Sequence, residues 1–390
     1  VNNQIFKQKR DCCGCGACQA ICPKNAIDMV EDEYGFVYPK INEEKCINCG
    51  LCKKICTYKN PRVSSEEKKV FMAVSKNEDK LKKSASGGVF FELAYAIIIK
   101  GGIVYGCSME KENDKLYPKH IRVNNVQELI KLQGSKYVQS ECGMIYNLVK
   151  KDLLENKIVL FSGTPCQIEG LKSFLLYKQY DNLYLVDIIC HGVPNRKMFQ
   201  DYISLFENKN KCRVTDYYFR DKANGCGYNN KTKYEKNGSN YVIVKKAYES
   251  SYCQLFLDSA ICRENCYICP YACENRNSDI TIGDYWGAGK EHPNCSMDEN
   301  KGISCVIANT SKGNMLINKY GNQMEKIDSD FKKVARHNHQ LNQPSKFSGE
   351  RTKILKIYKE LGYQGVEIYY RQTRGIKNFL KKIRDIIKGV

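Results

Sequence analysis

The sequence is short of several things. It holds one tryptophan, nine prolines and five histidines in 390 residues. Acidic residues are scarce: 43 Asp and Glu stand against 62 Lys and Arg, a formal net charge of +19. The longest apolar stretch, near 93–99, is bounded by Glu92 and Lys100. A helix needs roughly 20 apolar residues to cross a bilayer, so no transmembrane segment is expected. The opening VNNQIFKQKR has no apolar run of secretory type. No GxGxxG follows a strand-like run, which leaves a direct nicotinamide-cofactor site without support. Pro165-Cys166-Gln167 matches the nucleophile loop of DNA cytosine methyltransferases, but the early FxGxG and the ENV tripeptide of those enzymes are missing. Cys166 therefore reads as a small residue beside a bound cofactor, with a ligand role as the alternative. The basic charge comes with no nucleic-acid recognition motif, so nucleic acid is not an expected partner; an acidic electron carrier, an anionic substrate or anionic lipid suits it better.

Cysteine is what the chain has in excess, 22 in all. Without a secretory signal, that number points to the reducing cytoplasm and to thiols used as metal ligands. The first run is Cys12-x2-Cys15-x2-Cys18-x3-Cys22, followed by Pro23. The second is Cys46-x2-Cys49-x2-Cys52-x3-Cys56, each cysteine 34 residues after its counterpart. This is an internal duplication with the spacing of a bacterial ferredoxin that carries two [4Fe–4S] clusters. Three thiolates two residues apart can wrap one corner of a cube if the backbone curls, and Gly14, Gly16 and Gly50 permit the curl. The fourth cysteine of each run serves the other cluster. Cys12, Cys15, Cys18 and Cys56 are thus expected on one cluster, and Cys46, Cys49, Cys52 and Cys22 on the other. Thr57 stands where a second proline is usual. Cys13 is off-register and reads as a bystander. Two matched runs of four argue against zinc or disulfides.

Runs 26–30 and 36–41 read as the short strands of a ferredoxin-type domain over 1–60. A polar linker is expected at 61–69. A helix is expected within 84–99, capped by Ser84 or Ser86, and Gly87 and Gly88 at its start suit a phosphate approaching the amides. A strand is expected at 103–105, a helix at 142–155, and buried strands at 157–161 and 183–189. The loops SGTPCQ (162–167) and CHGVP (190–194) follow the two buried strands. Buried strands alternating with helices imply an α/β sheet, parallel at least in part, with ligands beyond the carboxyl ends of its strands. Residues 212–246 read as a β meander. The main domain is expected over 70–330.

A further group, Cys262-x3-Cys266-x2-Cys269-x3-Cys273, precedes SDITIGDYWG (278–287). Its spacing is read as a third [4Fe–4S] cluster, with structural zinc as the rival. Radical-SAM chemistry is disfavoured, since the group lies late in the chain, follows a meander and offers a fourth cysteine. His191 can donate a proton near neutrality or be a satisfied structural histidine. Asp284 can orient substrate or cap a turn. Residues 331–390 are expected as a basic helical tail. Its face of Ile376, Phe379, Leu380, Ile383 and Ile387 reads first as packing on its own domain, with peripheral membrane contact as the alternative.

SASGGVF, GSKYVQS, FSGTPCQIEGLK, DIICHGVP, the late cysteine group and SDITIGDYWG occur in that order. Together they resemble the coenzyme F-420 hydrogenase/dehydrogenase beta-subunit family, here a bacterial member fused to an N-terminal two-cluster ferredoxin. The resemblance spans about 10–320. It implies an α+β ferredoxin-like dicluster domain followed by an α/β flavin-binding domain with a mixed sheet. It also implies FAD, with Ser86, Gly87 and Gly88 at its pyrophosphate, Lys136 and Tyr137 in a flavin-contacting loop, and Gly163, Thr164, Pro165 and Gln167 lining the isoalloxazine pocket. It allows Cys190 to complete a third cluster in place of Cys273. The function so implied is an oxidoreductase. It relays single electrons from a ferredoxin-like donor through the clusters to FAD, and on to a small two-electron organic substrate. The competing reading is a non-catalytic electron-transfer subunit of a larger complex.

Overall fold

The computed structural model describes residues 4–56, 58 and 68–387. The expected linker lies outside these residues except for Lys68 and Lys69, and Thr57 lies outside them too. Near the N-terminus, β1 (Ile27–Glu31) and β2 (Val37–Ile41) pair antiparallel, Ile27 opposite Ile41. Each cysteine run ends in a single helical turn, Ala17–Ala20 or Leu51–Lys54. The chain enters these turns through Gly16 at φ +77° and Gly50 at φ +72°, a left-handed conformation that glycine adopts without steric cost.

The remaining strands are β3 (Lys69–Ser75), β4 (Ile103–Glu112), β5 (Lys115–Val123), β6 (Val159–Gly163) and β7 (Leu183–Ile188). They are followed by β8 (Arg213–Tyr218), β9 (Asn229–Lys236), β10 (Ser239–Lys246), β11 (Ile280–Asp284), β12 (Ser304–Ala308) and β13 (Met324–Ser329). The expected meander, β8 to β10, forms its own three-stranded sheet. The other eight form one mixed sheet in the order β13-β3-β12-β11-β7-β6-β4-β5. β4, β6, β7 and β11 run parallel. β12 runs against both β11 and β3, so β3 points the same way as the parallel set. The carboxyl ends of β3, β6, β7 and β11 therefore share one edge. The SASGG, SGTPCQ, CHGVP and DYWG loops all leave from that edge.

The helix expected within 84–99 is Val89–Ile98, and its cap is Gly88 at φ +84° rather than either serine. Ser84 instead closes the preceding helix, Glu78–Lys83. The strand expected at 103–105 continues to Glu112, because Asn113 and Asp114 both take positive φ and turn it into β5. Paired left-handed residues match the twist of a two-residue hairpin. β5 was hidden by Pro118, which a strand tolerates at the sheet edge.

The C-terminal region is only partly a tail. The helix Arg351–Ile387 breaks at Gly362 (φ +62°). Ile354, Leu355, Tyr358, Tyr363, Val366 and Tyr370 are buried in the same core as Phe36, Tyr38, Phe199 and Tyr252. Each such side chain contributes about 1.5–3 kcal/mol, so this helix holds the β1–β2 hairpin to the rest of the protein.

Candidate functional site

The two N-terminal cysteine runs enclose two hollows. One, of about 360 Å³ and partly open to solvent, is lined by Cys22, Cys46, Cys49 and Cys52 with Lys24, Ile27 and Ile41. The other, of about 440 Å³, is lined by Cys12, Cys15, Cys18 and Cys56 with Phe6, Met29 and Tyr58. The fourth cysteine of each run has crossed to the other set. Among the described residues no three His, Cys, Asp or Glu converge on a single-ion position. A four-iron cube takes one thiolate at each iron, so its ligands stand around a hollow rather than meeting at a point. These residues fit such cubes.

A third gathering of thiols lies inside the protein. Burial pushes Cys266 up, and the thiols of Cys262, Cys190 and Cys269 push it further. Burial likewise pushes Cys190 up to about 12, helped by Cys166 and Cys269. Cys273 stands apart: its thiol donates to the carbonyls of Asn275 (3.0 Å) and Pro270 (3.5 Å), and Arg276 is its foremost charged neighbour. The structure therefore brings Cys190 to Cys262, Cys266 and Cys269, and leaves Cys273 out. Gly192, at φ +127°, explains how the CHGVP loop comes so near. A Cβ there would lie 2.9 Å from Cys262 Sγ and 3.3 Å from Cys266 Cβ.

Arginines surround this interior set. Arg263 is fully buried. Its Nε donates to the Cys12 carbonyl (2.9 Å), one terminal nitrogen to Gln139 Oε1 (3.3 Å), and its backbone N–H to Val193 O (2.8 Å). The guanidinium lies 4.1 Å from the Tyr38 ring centroid. The neighbours foremost in raising its pKa are the thiols of Cys12, Cys13 and Cys266 and the Tyr38 hydroxyl, with no carboxylate among them. Its other terminal nitrogen makes no hydrogen bond among the described residues. Arg351 Nε donates to Cys262 O (2.9 Å), and buried Arg276 lies 3.9 Å from Asp187. A buried cation without an anion costs several kcal/mol, and an anionic cluster on these thiols would offset that cost. Cys13 is no bystander. It is buried, and its thiol meets those of Cys15 and Cys166. Cys166 in turn neighbours Cys190 and Cys269. The first run thus reaches the interior set through Cys13, Cys166 and Arg263.

The loops of the sheet edge are knitted together beside these thiols. Arg220, at the end of the meander's first strand, donates to both oxygens of Asp284 (2.9 and 3.1 Å). It also donates to Ala85 O (3.2 Å) and Tyr137 Oη (3.4 Å), and its Nε makes no hydrogen bond among the described residues. Its guanidinium lies over Tyr228 and Trp286. Ser86 donates to Ile303 O (2.9 Å), and Lys222, lowered to about 8 by burial, donates to the carbonyls of Ser86, Leu81 and Lys301. A Cβ on Gly87 would lie 2.2 Å from Ala73 O and 2.6 Å from Ser304 N, and one on Gly88 would lie 3.0 Å from Ser75 Cβ. Close packing on the sheet thus requires glycine at 87 whether or not a phosphate binds there.

Thr164 caps the helix Pro165–Phe174 in a capping box with Gln167. The Gln167 amide donates to Ser140 O (3.2 Å) and Oγ (3.0 Å), tying the SGTPCQ loop to the 133–140 loop. Gly163, at the end of β6, packs against that same side chain. Lys136 holds its own loop through the carbonyls of Gln133 and Lys131, and burial lowers it to about 8. Tyr137 stacks on Phe256, centroids 4.5 Å apart. His191 is committed to structure: Nε2 lies 3.1 Å from Phe256 O and 3.0 Å from Ser259 Oγ, and Nδ1 lies 3.2 Å from Gln340 Nε2. Several residues escaped the sequence reading, Arg263, Arg276 and Arg351 among them. Arg220 and Lys222 sit in an unremarkable basic stretch, and His120 hides in the unrecognised edge strand.

Comparison with known proteins adds the family. Residues 156–330 match the family described as the C terminus of the coenzyme F420 hydrogenase/dehydrogenase beta subunit, and residues 11–60 match the 4Fe-4S dicluster domain. Among solved structures, the chain is similar to one from the F420-reducing [NiFe] hydrogenase complex of Methanosarcina barkeri. The identity is 16%, with 80% of this chain and 93% of that chain covered, at a TM-score of 0.43. No curated protein matches. The chain therefore pairs a segment that matches iron–sulfur dicluster domains with one that matches the C terminus of hydrogenase/dehydrogenase beta subunits.

Proposed function

We propose that this chain is an iron–sulfur flavoprotein oxidoreductase. It accepts single electrons from a ferredoxin-like acidic carrier at its N-terminal end and delivers them, by way of FAD, to a small organic substrate at the sheet edge. The observation that carries this reading is a continuous series of sites. It runs from the exposed Cys22/Cys46/Cys49/Cys52 hollow to the Cys12/Cys15/Cys18/Cys56 hollow. From there Cys13, Cys166 and Arg263 lead to Cys190, Cys262, Cys266 and Cys269. The loops assigned to flavin by resemblance lie alongside, joined through Arg220 and Gln167. When bound, clusters carry single electrons, and a flavin stores two and passes them on as a hydride equivalent.

The residues supply placement and electrostatics. Arg220 and Asp284 fix the wall shared by the SASGG, GSKYVQS and DYWG loops. Gln167 and Ser140 hold the opposite wall. Arg263 provides a buried positive charge between two cysteine sets, where a net negative group is stabilised. Chain purified without oxygen should carry about twelve irons, from four per cluster, and one acid-releasable FAD. Its flavin should be bleached by a reduced ferredoxin. Iron-replete protein without flavin would remove the flavin part of the reading and leave an electron carrier.

A further inference from the structure

The end of the C-terminal helix is built inside out. Beyond the Gly362 break, Tyr363, Val366 and Tyr370 are buried in the core. From Ile376 onward the faces exchange roles. The inward side is polar: Asn378 donates to Tyr248 O (3.0 Å) and Lys382 to Glu249 Oε1 (3.1 Å). Asp385 accepts from Lys246 (3.1 Å) and Tyr248 Oη (2.8 Å). The outward side is apolar, with Ile376 81%, Phe379 64%, Leu380 59% and Ile387 79% exposed, and Ile383 between them. These five recur at the spacing of one helical face, a stripe about 16 Å long at 1.5 Å per residue. At about 100° per residue, Lys377, Lys381 and Arg384 fall along one edge of it.

We propose that this stripe is a docking surface for an anionic lipid membrane. Its inward polar bonds hold the helix to the 246–249 segment, so the apolar side is presented to solvent as a fixed face rather than folded under. An apolar stripe with a cationic edge is what an interfacial helix uses, the apolar side entering the headgroup boundary and the cations meeting lipid phosphates. Among the described residues no helix is long and apolar enough to cross a membrane, so the helix lies on the surface. A second copy of the chain fits less well. Asp385 is the one acidic residue in 371–387; it is turned inward and lies 3.7 Å from Arg384 of its own helix, so a copy laid stripe to stripe offers no acid to Lys377 and Lys381.

The test is co-sedimentation of the full, anaerobically purified chain with two kinds of vesicle, phosphatidylcholine alone and equal parts phosphatidylcholine and phosphatidylglycerol. Binding to the mixed vesicles that falls with added salt is expected, with little binding to phosphatidylcholine. Phe379→Glu with Leu380→Glu should abolish it, while iron content and helix content stay at wild-type values. Lys377→Gln and Lys381→Gln should each weaken it by about fivefold. Failure of wild-type protein to bind mixed vesicles at low salt would overturn the proposal, as would unchanged binding by the apolar double variant. If sedimentation velocity instead finds a dimer that this variant dissociates, the stripe covers a second copy and the lipid assignment is wrong.

Discussion

At the N-terminal end, Cys49 is exposed, the hollow it shares with Cys22, Cys46 and Cys52 opens to solvent, and Lys24 is the one cation among the residues lining it. In the interior, Cys262 is buried with Cys190, Cys266 and Cys269 around it, and Arg263, Arg276 and Arg351 stand close by. The ligand type is the same, but the surroundings differ. Water screens charge at the open set, so no fixed counter-charge is needed and a partner protein can approach. At the closed set burial weakens that screening, two unit charges 4 Å apart interact by about 4 kcal/mol at an effective dielectric of 20, and the protein brings its own cations. Under the proposed function, the first set would serve exchange with the outside, and the second would hold charge at a chosen energy.

Removing a ligand breaks the comparison most sharply. Cys190→Ala should cost the interior set its cluster, lowering iron by about four per chain, while both N-terminal clusters keep their electron paramagnetic resonance signals. Cys273→Ala should leave iron at its full value, because that thiol is spent on two carbonyls. The reverse result would restore Cys273 as the ligand.

The difference between the two ends was unequally legible in the chain. The N-terminal sets could be read outright, including which fourth cysteine crosses over, because a local spacing dictates local geometry. The interior set could be read only to three cysteines. Cys190 comes from another strand end, and its approach depends on Gly192 packing against Cys262 across some 70 residues of sequence. The loops of the sheet edge were found as motifs, yet Arg220, which binds them together, was not. Nothing local distinguishes an arginine that will be buried in a bidentate ion pair from one left in solvent. β5 escaped because Pro118 broke its pattern. The tail's stripe was found, but its periodicity gives a face and not a direction, and the outward direction follows only from where Asn378, Lys382 and Asp385 bond.

Arg263 permits a finer separation of the two ends. Arg263→Met removes a cation beside Cys12 and Cys266 and keeps most of the volume. Loss of that charge favours the less negative, oxidised state of a neighbouring cluster. Potentiometric titration should therefore find two of the three midpoints lowered by roughly 1–2 kcal/mol, on the order of 50–100 mV for one electron. The open Cys22/Cys46/Cys49/Cys52 set should not move. Arg263→Lys should recover part of the shift. Equal movement of all three midpoints would mean that the substitution acts through general loosening of the fold and not through charge.

A further expected effect concerns pH and again divides inside from outside. His120 is buried, its ring stacked on Phe161 at 5.4 Å, with Nε2 2.9 Å from Ser162 O and Nδ1 3.0 Å from Ser140 Oγ. The arrangement suits the neutral ring: Nε2 donates to the carbonyl and Nδ1 accepts from the hydroxyl. Burial lowers its pKa to about 4 from the ordinary 6.5. The unfolded chain therefore binds a proton below about pH 6.5 that the folded chain refuses until about pH 4. Stability from this residue is complete above pH 6.5 and is lost as pH falls through that window, by about 2 kcal/mol between pH 6.5 and 5. His191, also lowered by burial, adds to the slope in the same direction. Urea unfolding of anaerobic protein at pH 7 and pH 5 should find His120→Gln less acid-sensitive than wild type, with His191 contributing to the slope that remains. Protonating His120 removes the acceptor for Ser140 Oγ, the hydroxyl that also receives Gln167, so acid should loosen the 133–140 loop while leaving the open N-terminal set intact. An unchanged pH slope in the variant would mean that the ring is charged in the folded protein and that Ser140 is held some other way.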